Sequence, residues 1–132
     1  MAYRILVVDD NELNLSLMAK ILKFEGYQVT LARSGQEAIQ SVQSGMPDLA
    51  ILDVMMPDMD GFDLCGKLRQ QPLKAQIPII MLTAMNSAPE KQKALGCGAN
   101  EIWSKPFDLE LFRRRISELL SLTHSPGNTA RL

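Results

Sequence analysis

The sequence predicts an α/β domain, a doubly wound five-stranded parallel sheet with five helices. Short β-branched runs alternate with longer stretches of helical period in five cycles, the signature of βαβ units. The short runs are almost continuously apolar, as strands covered on both faces are. A length of 132 residues, 46% hydrophobic and 22% charged, suits one globular core and leaves no room for a second.

The first strand is read from Arg4 to Asp9, and the first helix from Glu12 to Phe24, with Leu13, Leu17, Met18, Ile21 and Leu22 on its buried stripe and Gly26 behind its end. Leu15 falls off that stripe, near the acidic end, and is a candidate contact for a partner. The second strand covers Gln28 to Ala32, and Ser34-Gly35-Gln36-Glu37 opens the second helix as a capping box. The third strand runs from Asp48 to Asp53. A weaker helix follows from Gly61 to Gln70, where Gly66 costs about 1 kcal/mol relative to Ala. The fourth strand spans Ile77 to Leu82. Another capping box, Ser87-Ala88-Pro89-Glu90, starts a helix with few large apolar residues before Gly96. The fifth strand covers Asn100 to Ser104. The fifth helix, Asp108 to Leu120, buries Leu109, Phe112, Ile116 and Leu119 and leaves Arg113, Arg114 and Glu118 toward water, with Glu110 four residues before Arg114. Beyond Leu122 the periodicity stops, so residues 1–122 form the expected domain and 123–132 a flexible tail or linker.

Charge and composition exclude several functions. Lys and Arg number 14 against 15 Asp and Glu, and a net charge of -1 provides no basic field for nucleic acid. No apolar run approaches the roughly 20 residues of a membrane span, and Ile5-Leu6-Val7-Val8 passes straight into Asp9-Asp10. The expected compartment is therefore the cytoplasm. Cys65 and Cys97 lack CxxC spacing and read as small buried residues, not as a disulfide framework or a zinc site.

In an open α/β sheet the ligand site lies beyond the carboxyl ends of the strands. Polar residues collect there. Strand one ends in Asp9-Asp10, strand three in Asp53, strand four at Thr83 and strand five at Lys105. A single Asp after a strand commonly just ends a turn. Three converging carboxylates repel one another, and a divalent cation removes that conflict. Oxygen ligands without nearby His or Cys favour a hard ion such as Mg²⁺. With Lys105 opposite, the natural fourth partner is an oxyanion, and phosphoryl is the obvious candidate. The lone His124 lies in the tail and is no phosphodonor of a packed helix pair, so the chain receives phosphoryl groups.

These residues resemble the receiver domain of two-component response regulators of the chemotaxis-regulator type. Ile5-Leu6-Val7-Val8-Asp9-Asp10-Asn11 resembles the family's acidic first strand, and Leu52-Asp53-Val54-Met55-Met56-Pro57-Asp58-Met59-Asp60-Gly61 its phosphoacceptor segment. Met81-Leu82-Thr83-Ala84 and Ser104-Lys105-Pro106-Phe107 resemble the two remaining signatures. Coverage runs from Tyr3 to Leu122, and four segments at this spacing are a strong signal.

The resemblance implies a flavodoxin-like strand order, 2-1-3-4-5, and a phosphoacceptor switch that promotes its own phosphorylation and dephosphorylation without turning over a substrate. It makes Asp53 the nucleophile that takes a phosphoryl group from a sensor histidine kinase or a histidine phosphotransfer protein. Asp9 and Asp10 hold Mg²⁺, with Asp10, Asp53 and the Met55 carbonyl as direct ligands. Lys105 pairs with Asp53 and then with a phosphoryl oxygen, Thr83 turns its hydroxyl onto that oxygen, and a cis peptide precedes Pro106. Trp103 stands where the family usually has Tyr or Phe. Its indole either swings inward with Thr83 or packs half-exposed against helix four. Met55 and Met85 resemble the two positions that gate water, and apolar gates imply slow loss of phosphate. A phosphorylation-dependent homodimer through helix four, strand five and helix five is a further expectation.

Three other readings fit these residues less well. A phosphohydrolase of the haloacid dehalogenase type wants Asp-x-Asp and a cap, where this chain has Asp9-Asp10-Asn11-Glu12 and no length for one. A nucleotide or flavin binder needs a Gly-rich or Ser/Thr-rich first loop, and Asp9-Asp10 repels phosphate there. A module that signals without phosphate has no need of all five site residues.

Overall fold

The computed structural model describes residues 2–71, 77–84 and 87–124, with side chains as far as Leu122. Its elements follow in strict alternation: β1 (Arg4–Val8), α1 (Glu12–Phe24), β2 (Gln28–Ala32), α2 (Gly35–Ser44), β3 (Leu49–Asp53), α3 (Gly61–Arg69), β4 (Ile79–Thr83), α4 (Ala88–Cys97), β5 (Glu101–Ser104) and α5 (Leu109–His124). The strands form one parallel sheet in the order β2-β1-β3-β4-β5, the doubly wound arrangement expected. Val7 stands opposite Leu31 and Ile51, Asp53 opposite Leu82, and Thr83 opposite Ser104.

Period-two alternation along the strands divides the core between the two faces. Leu6, Val8, Ala50, Leu52, Ile79 and Met81 meet α2, α3 and α4. Ile5, Val7, Leu49, Ile51, Ile80 and Leu82 meet α1 and α5. On the second face Phe112 is fully buried, meets Trp103 edge-on with ring centroids 5.2 Å apart, and packs against the tilted ring of Phe107 at 4.5 Å. Truncation of Phe112 to Ala removes the centre of this aromatic group and is expected to cost about 3–5 kcal/mol. Urea unfolding checks this, and a loss under about 1 kcal/mol would contradict the packing described.

Several sequence readings need correction. The buried stripe of α1 is Leu15, Ala19 and Leu22, whereas Leu13 and Leu17 stand 76% and 58% exposed. Leu15 is therefore core, with no surface to offer a partner. The phase was hidden by Ala19, whose small side chain adds little to a hydrophobic pattern. Leu109 is exposed, not buried. Helix α4 runs past Gly96 to Cys97 and ends at Gly98, whose φ of 97° is the left-handed cap that glycine adopts freely. Helix α5 continues through His124, two residues into the expected tail, and residues 125–132 lie outside the described part. The capping serines bond as expected, Ser34 Oγ accepting from the Glu37 amide and Ser87 Oγ from the Glu90 amide. Neither glutamate completes the box. Glu37 accepts from the Arg33 amide instead, at 2.9 Å, and Glu90 is used elsewhere.

Candidate functional site

Every polar residue singled out at a strand end reaches the carboxyl edge of the sheet, because parallel strands in register deliver their ends to one place. Asp9 follows β1 and is buried, Asp10 beside it is exposed, and Asp53 closes β3 half-buried. One carboxylate oxygen from each lies within 4.8 Å of the other two. Lys105, just past β5, points its Nζ at Asp53 Oδ1 from 3.4 Å. Burial and then the Asp9 charge push the Asp53 carboxyl above its ordinary value, while Lys105 and the Met55 amide pull the other way. Three oxygen donors in an otherwise repulsive cluster fit a hard divalent cation.

The loops around this cluster are tied down by their own hydrogen bonds. The Asp9 carboxylate accepts the Asn11 amide at 2.9 Å, and Asn11 caps α1 by accepting from Asn14. Past Asp53, the Val54 amide donates to the Leu82 carbonyl and the Gly61 amide donates back to the Val54 carbonyl. Asp58 reaches across to the N-terminus of α2, where its two oxygens accept the Gly35 and Gln36 amides, both at 3.2 Å. Slight burial raises the Asp58 carboxyl, and the amides of Gly35, Gln36 and Met59 more than offset this, holding it below its ordinary value. Asp60 caps α3 through the Asp63 amide. The Lys105 amide bonds to the Thr83 carbonyl at 2.8 Å, and the Lys105–Pro106 peptide is cis.

Thr83 is buried, and its hydroxyl donates to Glu90 Oε1 at 2.9 Å. Glu90 was not anticipated as part of this region. The signal for it lay in the second capping box, since a glutamate in the first turn of α4 stands one short loop beyond Thr83. Met55 is 68% exposed and, with Met56, Phe62, Glu90 and Lys93, walls a depression of about 630 Å³ that reaches Asp10. Met85 lies outside the described residues.

Trp103 is half-buried on the α5 side of the sheet. Its ring meets Phe107 and Phe112 edge-on, and its indole N–H donates to Glu101 Oε1 at 2.9 Å. Residues two apart on a strand share a face, so Glu101 is the nearest acceptor the sequence could have offered. The other Glu101 oxygen binds Arg115, which also donates to Glu118 at 3.1 Å. Arg113 joins Glu25 and Glu110. Two of the three consecutive arginines are therefore half-buried and paired, and Glu110 meets Arg113, not Arg114. The three-residue spacing brings that pair together on the helix as readily as four.

Comparison with known proteins agrees with this architecture. Residues 5–117 match the family model of the response regulator receiver domain. The response regulator MprA of Mycolicibacterium vanbaalenii is 42% identical over 123 residues, 93% of this chain and 52% of that protein. The response regulator PleD of Caulobacter vibrioides is 39% identical over 119 residues, 90% of this chain and 26% of that protein. The chain thus spans about half the length of one relative and a quarter of the other. The chemotaxis protein CheY4 of Vibrio cholerae matches in structure with a TM-score of 0.86 at 32% identity, over 90% of this chain and 99% of that one. A family match that takes in the sheet and all its acidic strand ends, on a CheY-type fold, places the chain among the response regulator receiver domains of two-component systems.

Proposed function

We propose that Asp53 accepts a phosphoryl group from a phosphohistidine on a sensor histidine kinase or a histidine phosphotransfer protein, and that the change is read out through Thr83 and Trp103. The convergence of three carboxylates and Lys105 at the sheet edge carries this reading. Asp9, Asp10, Asp53 and the Met55 carbonyl would hold Mg²⁺, which would supply positive charge to the transferring phosphoryl oxygens.

A carboxylate oxygen of Asp53 attacks phosphorus as the bond from phosphorus to the donor nitrogen breaks. Lys105 exchanges its partner from the Asp53 oxygen to a phosphoryl oxygen. Thr83, now bonded to Glu90, turns its hydroxyl toward the same group and lets go of the first turn of α4. A modification adding more than one negative charge is enough to bias such a two-state element. The exposed Leu13 and Leu17 flank the acidic end of α1 and offer the docking surface that Leu15 does not.

Trp103 is the only tryptophan, so its fluorescence tests the coupling. Addition of Mg²⁺ and then beryllofluoride is expected to shift the emission of the wild type and leave an Asp53→Asn variant unchanged by beryllofluoride. An unresponsive wild type would refute the linked site. The exposed thioether chain of Met55 cannot orient an attacking water, so the phosphorylated form should decay slowly. Replacing Met55 with Asn is expected to speed phosphate release on the order of tenfold. Release from the wild type as fast as from the variant would remove Met55 as a gate. Light scattering with beryllofluoride tests the proposed homodimer, which predicts a shift in mass for the wild type alone.

A further inference from the structure

Two thiols outside the phosphoacceptor site meet where α3 and α4 pack together. Cys65 on α3 is fully buried, and Cys97, the last residue of α4, is half-buried. Both are free. Although 32 residues separate them in sequence, the Cys65 thiol donates to the Cys97 carbonyl at 3.3 Å, which sets the two side chains beside each other. The Cys97 thiol makes a further contact with the Ala94 carbonyl at 3.2 Å. Sequence spacing gave no hint of this pair, because only the packing of α3 against α4 creates it.

The two sulfurs differ in chemistry. The Cys65 side chain, opposed by burial and helped by the Ala99 amide and the Arg69 charge, lowers the Cys97 thiol to about 7. The Cys97 side chain and burial push Cys65 up. A partly exposed sulfur with thiolate character thus neighbours a buried thiol that lies against its own backbone carbonyl, the arrangement of an attacking and a resolving cysteine. Arg69 holds the two helices in this relation. Its guanidinium donates to the Gly98 carbonyl at 2.9 Å, the Ile77 carbonyl at 2.7 Å and Asn100 Oδ1 at 3.0 Å. With the Cys65 sulfur already 3.3 Å from the Cys97 carbonyl oxygen, rotation of the two side chains is the movement that would bring the sulfurs together.

We propose that Cys65 and Cys97 are a peroxide-oxidised pair that closes a reversible disulfide between α3 and α4. The Cys97 thiolate attacks a peroxide oxygen, a sulfur–oxygen bond forms, the oxygen–oxygen bond breaks, and the departing hydroxide takes up a proton as water. The Cys65 sulfur then attacks the Cys97 sulfur. The hydroxyl leaves with the Cys65 proton as a second water, so two thiols lose two electrons and one hydrogen peroxide becomes two waters. A thiol or dithiol reductant returns both electrons. The link fastens the C-terminal end of the helix whose first turn carries Glu90, the partner of Thr83.

The test treats the reduced full chain with a small excess of hydrogen peroxide, quenches with iodoacetamide, and measures intact mass without reductant. The wild type is expected to lose two hydrogens, take no alkyl group and remain a monomer, and dithiothreitol should restore both alkylation sites. A Cys65→Ser chain should stop at one oxygen on Cys97, trapped as a single dimedone adduct. Peroxide that leaves both wild-type thiols alkylatable, adds oxygen to Cys97 with Cys65 still free, or links two chains would overturn the proposal. The wild-type mass decides alone, so the result stands even where Cys65→Ser does not fold.

Discussion

Asp53→Asn is expected to lose phosphoryl transfer by at least about 1,000-fold while gaining stability in the absence of divalent cations. The first effect follows from the proposed role of Asp53, since an amide of negligible nucleophilicity would stand where the carboxylate oxygen attacks. The second follows from charge. The Asp53 side chain is 12% exposed, sits in a cluster with Asp9 and Asp10, and has a carboxyl raised by burial and then by Asp9. A carboxyl raised in the folded state helps stability below its unfolded value, near pH 4, and that help is lost as pH rises through the folded value. At pH 7 the wild type therefore carries the full repulsion, and the Asn variant lacks it. The Asp9 repulsion, about 3–4 kcal/mol at an effective dielectric of 20, is cancelled by the Lys105 attraction across 3.4 Å, so the gain comes chiefly from no longer burying the charge. A net gain of about 1–2 kcal/mol remains. Urea midpoints at pH 7 and pH 4, each with and without Mg²⁺, should show the gap shrinking on acidification and on adding the metal. A variant that still takes phosphate from a small acyl phosphate, or is less stable than the wild type at pH 7 without metal, would contradict the electrostatics described.

What could be read from the sequence was whatever depends on local pattern. The five strands and five helices follow from periodicity, and parallel topology then carries Asp9, Asp10, Asp53, Thr83 and Lys105 to one edge without further information. Contacts between elements were not legible to the same degree. Ala19 shifted the buried face of α1 because a methyl group marks a close approach that no hydrophobic scale records. Glu90 looked like half of a capping box, and only the position of α4 against β4 shows that its carboxylate is taken by Thr83. No local pattern marks Asp58, yet it bridges to the start of α2. Cys65 and Cys97 belong to separate helices, and their meeting is a property of packing alone.

Gly61→Ala tests how closely the strand that ends in Asp53 and α3 are built together. A Cβ at position 61 would lie 2.5 Å from the Asp53 carbonyl oxygen, 2.7 Å from Met81 Cε and 2.9 Å from Val54 Cα. Two of these three atoms are backbone of the strand end that carries Asp53, and Gly61 is tied to Val54 by a 2.8 Å hydrogen bond, so rotamer changes cannot relieve the overlap. Either α3 lifts or the end of β3 shifts. The expected cost is about 3 kcal/mol, at the upper end of overpacking. Displacement of Asp53 by as much as 1 Å should also slow phosphoryl transfer by about 100-fold in the molecules that fold. Gly66 in the same helix provides the control. A Cβ built there meets nothing within 4 Å, so Gly66→Ala relieves only the entropy cost of a mid-helix glycine and should stabilise by about 0.5–1 kcal/mol with transfer unchanged. Opposite signs at the two positions would show that Gly61 is required for space and not for helix flexibility. Equal and small effects at both would mean that the β3–α3 connection yields, and that Asp53 is held less rigidly than its hydrogen bonds indicate.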